Sequence, residues 1–288
     1  MSPMTRDPRI RIATHRKLSN PTLVAAWPGV GLVGFNAVEF LRSTLNPDQV
    51  AEIDTPGFFA IQGVQAKDGS IVPLRYPTST FYAWKSPKGK SDLLLFLGTA
   101  QPVSGREVEL ARLVLDAGMR LGAKRVFTAA AMVAQIDHVA PSRVWAVTAL
   151  PDEWEALELL GVHKLQDGLI GGLNGLLIGV AQERGLPAAC LMGEMPHYTT
   201  NIENPKASVA VLEVLLSVLG ITVDLSSLRE RARYIELQIQ AYLQTARDGS
   251  PGPEGGSTEN SDTEDVATSE GSDRNRNEPG KGGGTSIN

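Results

Sequence analysis

The strongest constraint on the fold is an alternation between short apolar runs and longer segments in which apolar residues recur at helical spacing. Strand-like runs lie at 22–27, 49–54, 92–97, 125–130, 144–148 and 188–192. Predicted helices cover 32–45, 104–121, 152–160, 171–184, 205–219 and 225–246. Strands joined through helices of this length pair in parallel and bury both faces. We therefore predict an α/β protein, a three-layer α/β/α sandwich with a mostly parallel sheet and closing C-terminal helices.

Local signals refine this pattern at two places. Ser104 followed by Glu107 matches a capping box, which predicts that a helix begins directly after Ser104. The segment 58–84 interrupts the alternation, because it is rich in strand-like residues where a helix would be expected. Its sequence Lys67-Asp68-Gly69-Ser70 is typical of a hairpin turn.

Composition divides the chain into a domain over residues 10–246 and a tail over 247–288. From Asp248 onward the chain has nine acidic and three basic residues, a charge of −6 within the net −5 of the whole protein. The tail offers only Val266 and Ile287 for burial, so we predict a disordered, acidic, Gly/Ser-rich segment. The remainder is close to neutral, which gives no electrostatic reason to expect nucleic acid as a partner.

Three features that the sequence lacks predict the cellular compartment of the protein. Cys190 is the one cysteine, so no internal disulfide can form, and this fits a reducing environment. Residues 1–20 have no apolar run like that of a signal peptide. The longest apolar stretch, 169–181, is too short for a bilayer span, which needs about 20 residues. We expect a cytoplasmic protein without a membrane partner.

Three spaced glycines, Gly29, Gly31 and Gly34, follow the first strand and open the first helix. This is the arrangement of a dinucleotide-binding turn, and Glu52 or Asp54 lies about where a ribose-binding acid would stand. A tight turn between strand and helix also needs glycine for close packing. Three interpretations stay open: a packing turn, a ligand at the helix N-terminus, and a nicotinamide or flavin cofactor.

Glu194 and His197 follow the last predicted strand, 188–192. Ligands of open α/β sheets bind outside the carboxyl ends of the strands, so both side chains are placed for polar contacts or proton transfer. With the glycine turn they define a candidate ligand-binding site, although the segment could simply connect two elements. The four histidines and Cys190 show no metal-ligand spacing, and we assign neither a metal nor a catalytic residue.

The last predicted helix carries two apolar stripes. One forms a seam at alternating spacings of three and four, made of Leu225, Leu228, Ala232, Ile235, Ile239, Tyr242 and Ala246. The other, made of Tyr234, Leu237 and Ala241, projects from nearly the opposite side. We predict that the seam packs on the domain and that the second stripe contacts another chain. A loop of the same domain covering the second stripe is the alternative.

Taken in order, these segments resemble the proteasome assembly chaperone 2 family, in its archaeal and bacterial branch. The resemblance is carried by four stretches: Trp27-Pro28-Gly29-Val30-Gly31-Leu32-Val33-Gly34, Gly171-Gly172-Leu173-Asn174-Gly175-Leu176-Leu177, Leu191-Met192-Gly193-Glu194, and Pro205-Lys206-Ala207 through Leu219-Gly220 to Val223-Asp224-Leu225. It implies a fold similar to that of nucleoside phosphorylases, although that similarity alone carries no activity.

The resemblance also implies a role. Eukaryotic members assemble or bind proteasome-type complexes without catalysis, and some archaeal members dock through a C-terminal hydrophobic–Tyr–any motif. Ser286-Ile287-Asn288 departs from that motif, so docking through the tail is not expected. We expect a non-enzymatic assembly chaperone or scaffold without a cofactor, a homo-oligomer with a protein partner or client complex. The alternatives are a binding protein or enzyme for a nucleoside- or phosphate-type ligand at the glycine turn and Glu194, and thirdly an NAD-dependent enzyme.

Overall fold

A computed structural model describes residues 7–14, 17–61, 63–87 and 92–248. The predicted tail lies outside the described residues from position 249 onward. Among the described helices, none combines the length and the apolar character that crossing a membrane requires.

Eleven strands and six α-helices make up the described chain. The strands are β1 (Ile10–Ile12), β2 (Thr22–Ala26), β3 (Asp48–Ile53), β4 (Ala66–Lys67), β5 (Ser70–Ile71), β6 (Ser79–Trp84), β7 (Leu93–Gly98), β8 (Arg125–Ala134), β9 (Val144–Thr148), β10 (His163–Lys164) and β11 (Ala188–Pro196). The helices are α1 (Val33–Leu45), α2 (Glu107–Arg120), α3 (Trp154–Glu158), α4 (Gly172–Glu183), α5 (Pro205–Leu219) and α6 (Ser226–Asp248). Short 3-10 turns lie at Val30–Leu32, Pro151–Glu153 and His197–Thr199.

Nine of the strands form one sheet in the order β1-β3-β6-β7-β2-β8-β11-β9-β10. The four central strands, β7, β2, β8 and β11, are parallel. Antiparallel pairs flank them, with β1, β3 and β6 on one side and β9 on the other. The sheet is therefore parallel at its centre, as predicted, and antiparallel pairs flank this centre on both sides.

Connection length explains the antiparallel margins. The chain passes from β8 to β9, and from β6 to β7, without an intervening helix. A parallel neighbour needs a crossover connection, usually a helix, whereas an antiparallel neighbour needs only a short loop. Strand β9 consequently runs opposite to β8 and pairs with β11.

Helices cover both faces of the sheet. On one face α2 and α4 bury aliphatic residues such as Leu110 and Leu177. On the other face α1 and α5 bury residues such as Leu41 and Leu212. The central strands are buried throughout, as β7 shows with six consecutive buried residues. The three-layer α/β/α architecture with C-terminal helices is confirmed.

Two local predictions had different outcomes. The hairpin turn is present between β4 and β5, where Asp68 and Gly69 both have the positive φ that such turns require. The capping box at Ser104 is wrong, because α2 begins at Glu107 and no side chain caps it. Gly105 has a φ of +86°, which is outside helical geometry and delays the start of the helix.

Candidate functional site

The glycine turn leads from the central strand β2 into α1. Gly31 has a φ of +59°, and a Cβ there would lie 2.7 Å from the sulfur of Met195. A Cβ on Gly34 would lie 2.0 Å from the carbonyl oxygen of Ala129 on β8. A Cβ on Gly29 would meet the Asn174 amide at an ordinary 3.6 Å. Close packing therefore explains Gly31 and Gly34, but not Gly29.

The buried side chain of Asn174, on α4, closes off the end of β2. Its Oδ1 accepts from the Trp27 backbone N–H at 3.1 Å, and its Nδ2 donates to the Trp27 carbonyl at 3.2 Å. One amide thereby satisfies both polar backbone groups of a fully buried residue. This role was not predicted from the sequence, although a lone Asn inside an apolar helix is a signal that a buried polar group needs a partner.

Gln101 holds the next residue of the turn in the same way. Its Nε2 donates to the Pro28 carbonyl at 2.8 Å, and its Oε1 accepts from the Leu173 backbone N–H at 3.2 Å. Gln101 and Asn174 together join the turn to the N-terminus of α4. Because their amides are bonded to the backbone, they are occupied in positioning the turn.

Beside this turn lies a cleft of about 790 Å³, at the carboxyl ends of the parallel strands. Its walls are largely apolar and include Val30, Met132, Val133, Leu169 and Ile170. The charged residues among the described lining are Glu107 and Asp167, both acidic. Gly29 and Gly34 line the cleft, whereas Glu194 and His197 are not among the lining residues.

This lining suits neither of the phosphate-bearing ligands considered from the sequence. Phosphate is bound by cations or by free backbone N–H groups, and two carboxylates repel it. A dinucleotide site also needs its ribose-binding acid on the strand beside the glycine turn. Here β6 and β7 separate β3 from β2, and Asp54 is paired with Arg11 at 2.5 Å.

Glu194 lies on β11 and is 3 % exposed. Arg143 donates to both of its carboxylate oxygens at 2.8 Å, and the Trp145 indole N–H donates at 3.0 Å. Burial raises the pKa of Glu194, but the hydrogen bonds from Arg143 and Trp145 outweigh it, so the net pKa is lowered. The carboxylate faces residues on and beside β9, not the glycine turn, so this geometry assigns it to holding β9 on β11.

We expect Glu194→Gln to lower the free energy of unfolding by about 1–3 kcal/mol at neutral pH, the usual value of hydrogen bonds to a charged group. A lowered folded pKa means that the carboxylate stabilises the domain above the pKa of an unfolded glutamate, about 4.3. This contribution is lost as the pH falls through the folded pKa. Denaturant titrations from pH 7 to pH 3 should show the difference between variant and wild type shrinking.

The control is Glu158→Gln, which removes an exposed carboxylate on α3. It should match the wild type at every pH. A Glu194→Gln protein as stable as the wild type at pH 7 would mean that the ion pair adds nothing to the fold.

His197 is exposed in the 3-10 turn after β11, and its ring packs edge-on against Tyr198. It therefore does not join Glu194 in a pocket. Cys190 is fully buried, and burial raises the pKa of its thiol to about 11. Within the described part of the chain, no three His, Cys, Asp or Glu side chains are grouped to bind a metal.

The seam predicted on the last helix, which we call the inner stripe of α6, packs this helix on the domain. Leu225, Leu228 and Ala232 are buried, and Ile235 and Ile239 are half-buried. Three ion pairs flank this contact: Arg229–Glu213, Arg231–Glu203 and Lys206–Glu236.

The predicted seam ends at Ile239. Tyr242 is 74 % exposed, and Ala246 is exposed as well. From Gln240 to Ala246 every residue is exposed except the half-buried Leu243, so the described domain covers little of this part of α6.

The second predicted stripe of α6 faces solvent. Tyr234 is 61 % exposed and Leu237 is 63 % exposed, and Ala241 is also exposed. No described loop covers these side chains, so the described residues do not support the alternative in which a loop of the same domain covers them. These three side chains form an exposed apolar strip, which we call the outer strip of α6.

Fold and surfaces together define a three-layer α/β/α protein with a largely apolar cleft, an acidic rim on that cleft, and an exposed apolar strip on α6. The chain belongs to the PAC2 family, whose model matches residues 23–243. The family resemblance inferred from the four sequence stretches is thus confirmed.

The chain is also similar to several individual proteins. An uncharacterized protein of Methanocaldococcus jannaschii is 29% identical over 226 residues, covering 77% of this chain and 83% of the relative. PbaB of Pyrococcus furiosus, an archaeal proteasome activator, is 26% identical with a TM-score of 0.70, covering 81% of this chain and 97% of PbaB. PbaA of the same organism, an archaeal homolog of proteasome-assembly chaperone, is 25% identical with a TM-score of 0.64, covering 83% of this chain and 94% of PbaA.

Proposed function

We propose that this chain is a non-enzymatic assembly chaperone or scaffold that acts as a homo-oligomer on a client complex of the proteasome type. The observation that carries the proposal is the outer strip of α6. Large apolar side chains exposed on consecutive turns mark a protein–protein contact more often than a free surface. The names of PbaA and PbaB supply the kind of client. A cytoplasmic location and the absence of a cofactor remain predictions.

The anchoring of α6 supports an interface role. Three ion pairs and the buried inner stripe hold the helix in one orientation, so its outer strip is presented on a rigid element. A preorganised surface loses little conformational entropy on binding. The helix can therefore offer the same apolar face to each partner that it meets.

The polar side chains that hold the glycine turn, and Glu194 on β11, support a role without catalysis. Asn174 and Gln101 are bonded to backbone groups, and Glu194 is bonded to Arg143 and Trp145. The cleft volume is within the range of small-molecule sites, which favours the alternative of a ligand-binding protein. The two carboxylates on the rim of the cleft disfavour ligands that carry phosphate, which include nucleotides and dinucleotides.

We expect Leu237→Glu to dissociate the oligomer into folded monomers, because a buried carboxylate without a partner is strongly disfavoured in an apolar contact. Multi-angle light scattering gives the mass, and circular dichroism checks that the helices are retained. The same variant should promote proteasome subunit assembly less than the wild type when the organism's own subunits are mixed and followed by native mass spectrometry.

Ala246→Glu is the matched control. It adds the same charge to the same helix at an exposed position on the side opposite Leu237. Its mass and its assembly activity should equal those of the wild type. A monomeric wild type that neither binds nor assembles proteasome subunits would contradict the proposed function.

A further inference from the structure

The hairpin of β4 and β5 has an apolar face that its own domain leaves uncovered. The two strands pair Ala66 with Ile71 and Lys67 with Ser70. Side chains alternate between the two faces of a strand, so Ala66 and Ile71 share one face, and Lys67 and Ser70 share the other. Residues 63–71 are all exposed, and Ile71 is 71 % exposed. The hairpin is therefore amphipathic, and both of its faces meet solvent.

The apolar face extends one step beyond the two paired positions. The Val72 N–H donates to the Gln65 carbonyl at 2.8 Å, so the strands stay paired there. Alternation then places Val64, which is 58 % exposed, beside Ala66 and Ile71. A two-stranded hairpin on its own is at best marginally stable in water. Packing this apolar face against another apolar surface would therefore stabilise the hairpin.

Both ends of the segment that carries the hairpin are tied to the wall of the cleft. On the way in, the Phe58 carbonyl accepts from the Val103 N–H at 2.8 Å. On the way out, the Thr78 N–H donates to Oγ1 of Thr99 at 2.8 Å. Gln101, which lines the cleft, lies between these two attachment points. The hairpin consequently projects from the rim of the cleft.

The hairpin is long enough to cover the cleft. Its tip at Gly69 lies nine residues before Thr78, and such a segment spans up to about 30 Å when it is extended. A sphere with the cleft volume of about 790 Å³ would be only about 11 Å across. The cleft offers exposed apolar side chains of its own, Val133 and Leu169, the latter 96 % exposed.

The charges of the two surfaces are also complementary. Arg75, which follows the hairpin, has no carboxylate partner among the described residues. The other two charges of the hairpin, Lys67 and Asp68, are adjacent at its tip and offset each other. The carboxylates of the cleft, Glu107 and Asp167, form no ion pair with a described cation. The net charge is thus positive on the hairpin segment and negative on the cleft.

We propose that the β4–β5 hairpin is a lid that closes over the cleft of its own chain. In the closed form Val64 and Ile71 cover the apolar wall at Val133 and Leu169, while the polar face with Lys67 stays in water. The structure described above is the open form. Closure takes place within one chain, so it does not depend on the homo-oligomer of the proposed function. Any molecule that binds in the cleft must either displace this lid or be enclosed by it.

Cross-linking in the full-length protein tests the closure. A short bismaleimide should join Ile71→Cys to Leu169→Cys about tenfold faster than it joins Ser70→Cys to Leu169→Cys. Ser70 is the matched control, because it is adjacent in the same hairpin but lies on the polar face. The native Cys190 is fully buried and does not compete for the reagent. The product should have the mass of one chain on a denaturing gel.

Hydrogen exchange followed by mass spectrometry provides the second measurement. Ile71→Asp places a carboxylate on the apolar face, opposite an acidic cleft, so the lid should open. The amides of residues 168–171 on the cleft wall should then lose the protection that the closed lid gives them. Ser70→Asp adds the same charge to the polar face and should exchange like the wild type.

Equal cross-linking rates for the Ile71→Cys and Ser70→Cys pairs would overturn the lid, and so would a product with twice the mass of the chain. Unchanged exchange at 168–171 in Ile71→Asp would count against it in the same way. None of these variants alters the outer strip of α6, so each of these results leaves the proposed function standing.

Discussion

We expect the Gly34→Val chain to be recovered unfolded or aggregated. The first atom of any side chain at this position would lie 2.0 Å from the Ala129 carbonyl oxygen and 2.5 Å from its carbon. The obstacle is the backbone of the central strand β8, which cannot shift without breaking its pairing with β2 and β11. The cost should exceed about 4 kcal/mol, a large part of the stability of an ordinary domain.

Gly179→Ala is the control for this substitution. Gly179 lies in α4, and a Cβ there would meet no atom within 4 Å. Alanine in a helix interior is more favourable than glycine by about 0.5–1 kcal/mol, so this variant should be slightly more stable than the wild type. Soluble expression, circular dichroism and thermal melts compare the two. A Gly34→Val protein with the melting temperature of the wild type would show that α1 and β8 do not approach as closely as described.

We expect Asn174→Leu to lower the free energy of unfolding by about 2–5 kcal/mol. Leucine has the same branching and the same number of side-chain heavy atoms, but it leaves the Trp27 N–H and carbonyl buried without partners. Each unsatisfied buried backbone group costs about 1–3 kcal/mol. For a domain of this size the melting temperature should fall by about 5–15 °C.

Hydrogen exchange adds a local readout for Asn174→Leu. The Trp27 amide should exchange faster in the variant than expected from its global stability alone. Asn201→Leu removes an exposed amide and should leave both the melting temperature and the Trp27 amide unchanged. Unchanged stability in Asn174→Leu would show that water or another group replaces the amide.

The central fold could be predicted because its signals are local. An apolar run followed by glycine and a helical segment identifies β2 and α1 from neighbouring residues alone, and the same holds for β7, α4 and β11. The hairpin at Asp68-Gly69 was also predicted, since its turn type depends on two residues. The start of α2 was not, because the turn at Gly105 competes with the cap at Ser104.

The candidate site was harder to predict because its partners are distant in sequence. Glu194 follows a strand and so resembles a ligand-binding carboxylate, but β9 pairs with β11 and brings Arg143 beside it. That pairing depends on the order of the strands, which no local pattern specifies. Asn174 meets Trp27 for the same reason. The outer strip of α6 was predicted, because its exposure follows from the periodicity of a single helix.

The hydrogen bonds between Trp27 and Asn174 also bear on how the chain is synthesised. The two residues are separated by 147 positions. At about 5–20 residues per second, the ribosome takes roughly 7–30 s to add Asn174 after Trp27. The neighbours of β2, which are β7 and β8, also follow it in the chain. The strand Thr22–Ala26 therefore emerges from the ribosome long before its partners exist. During that interval this apolar strand is without its hydrogen-bonding partners, which is the condition in which unpaired strand edges are prone to aggregate.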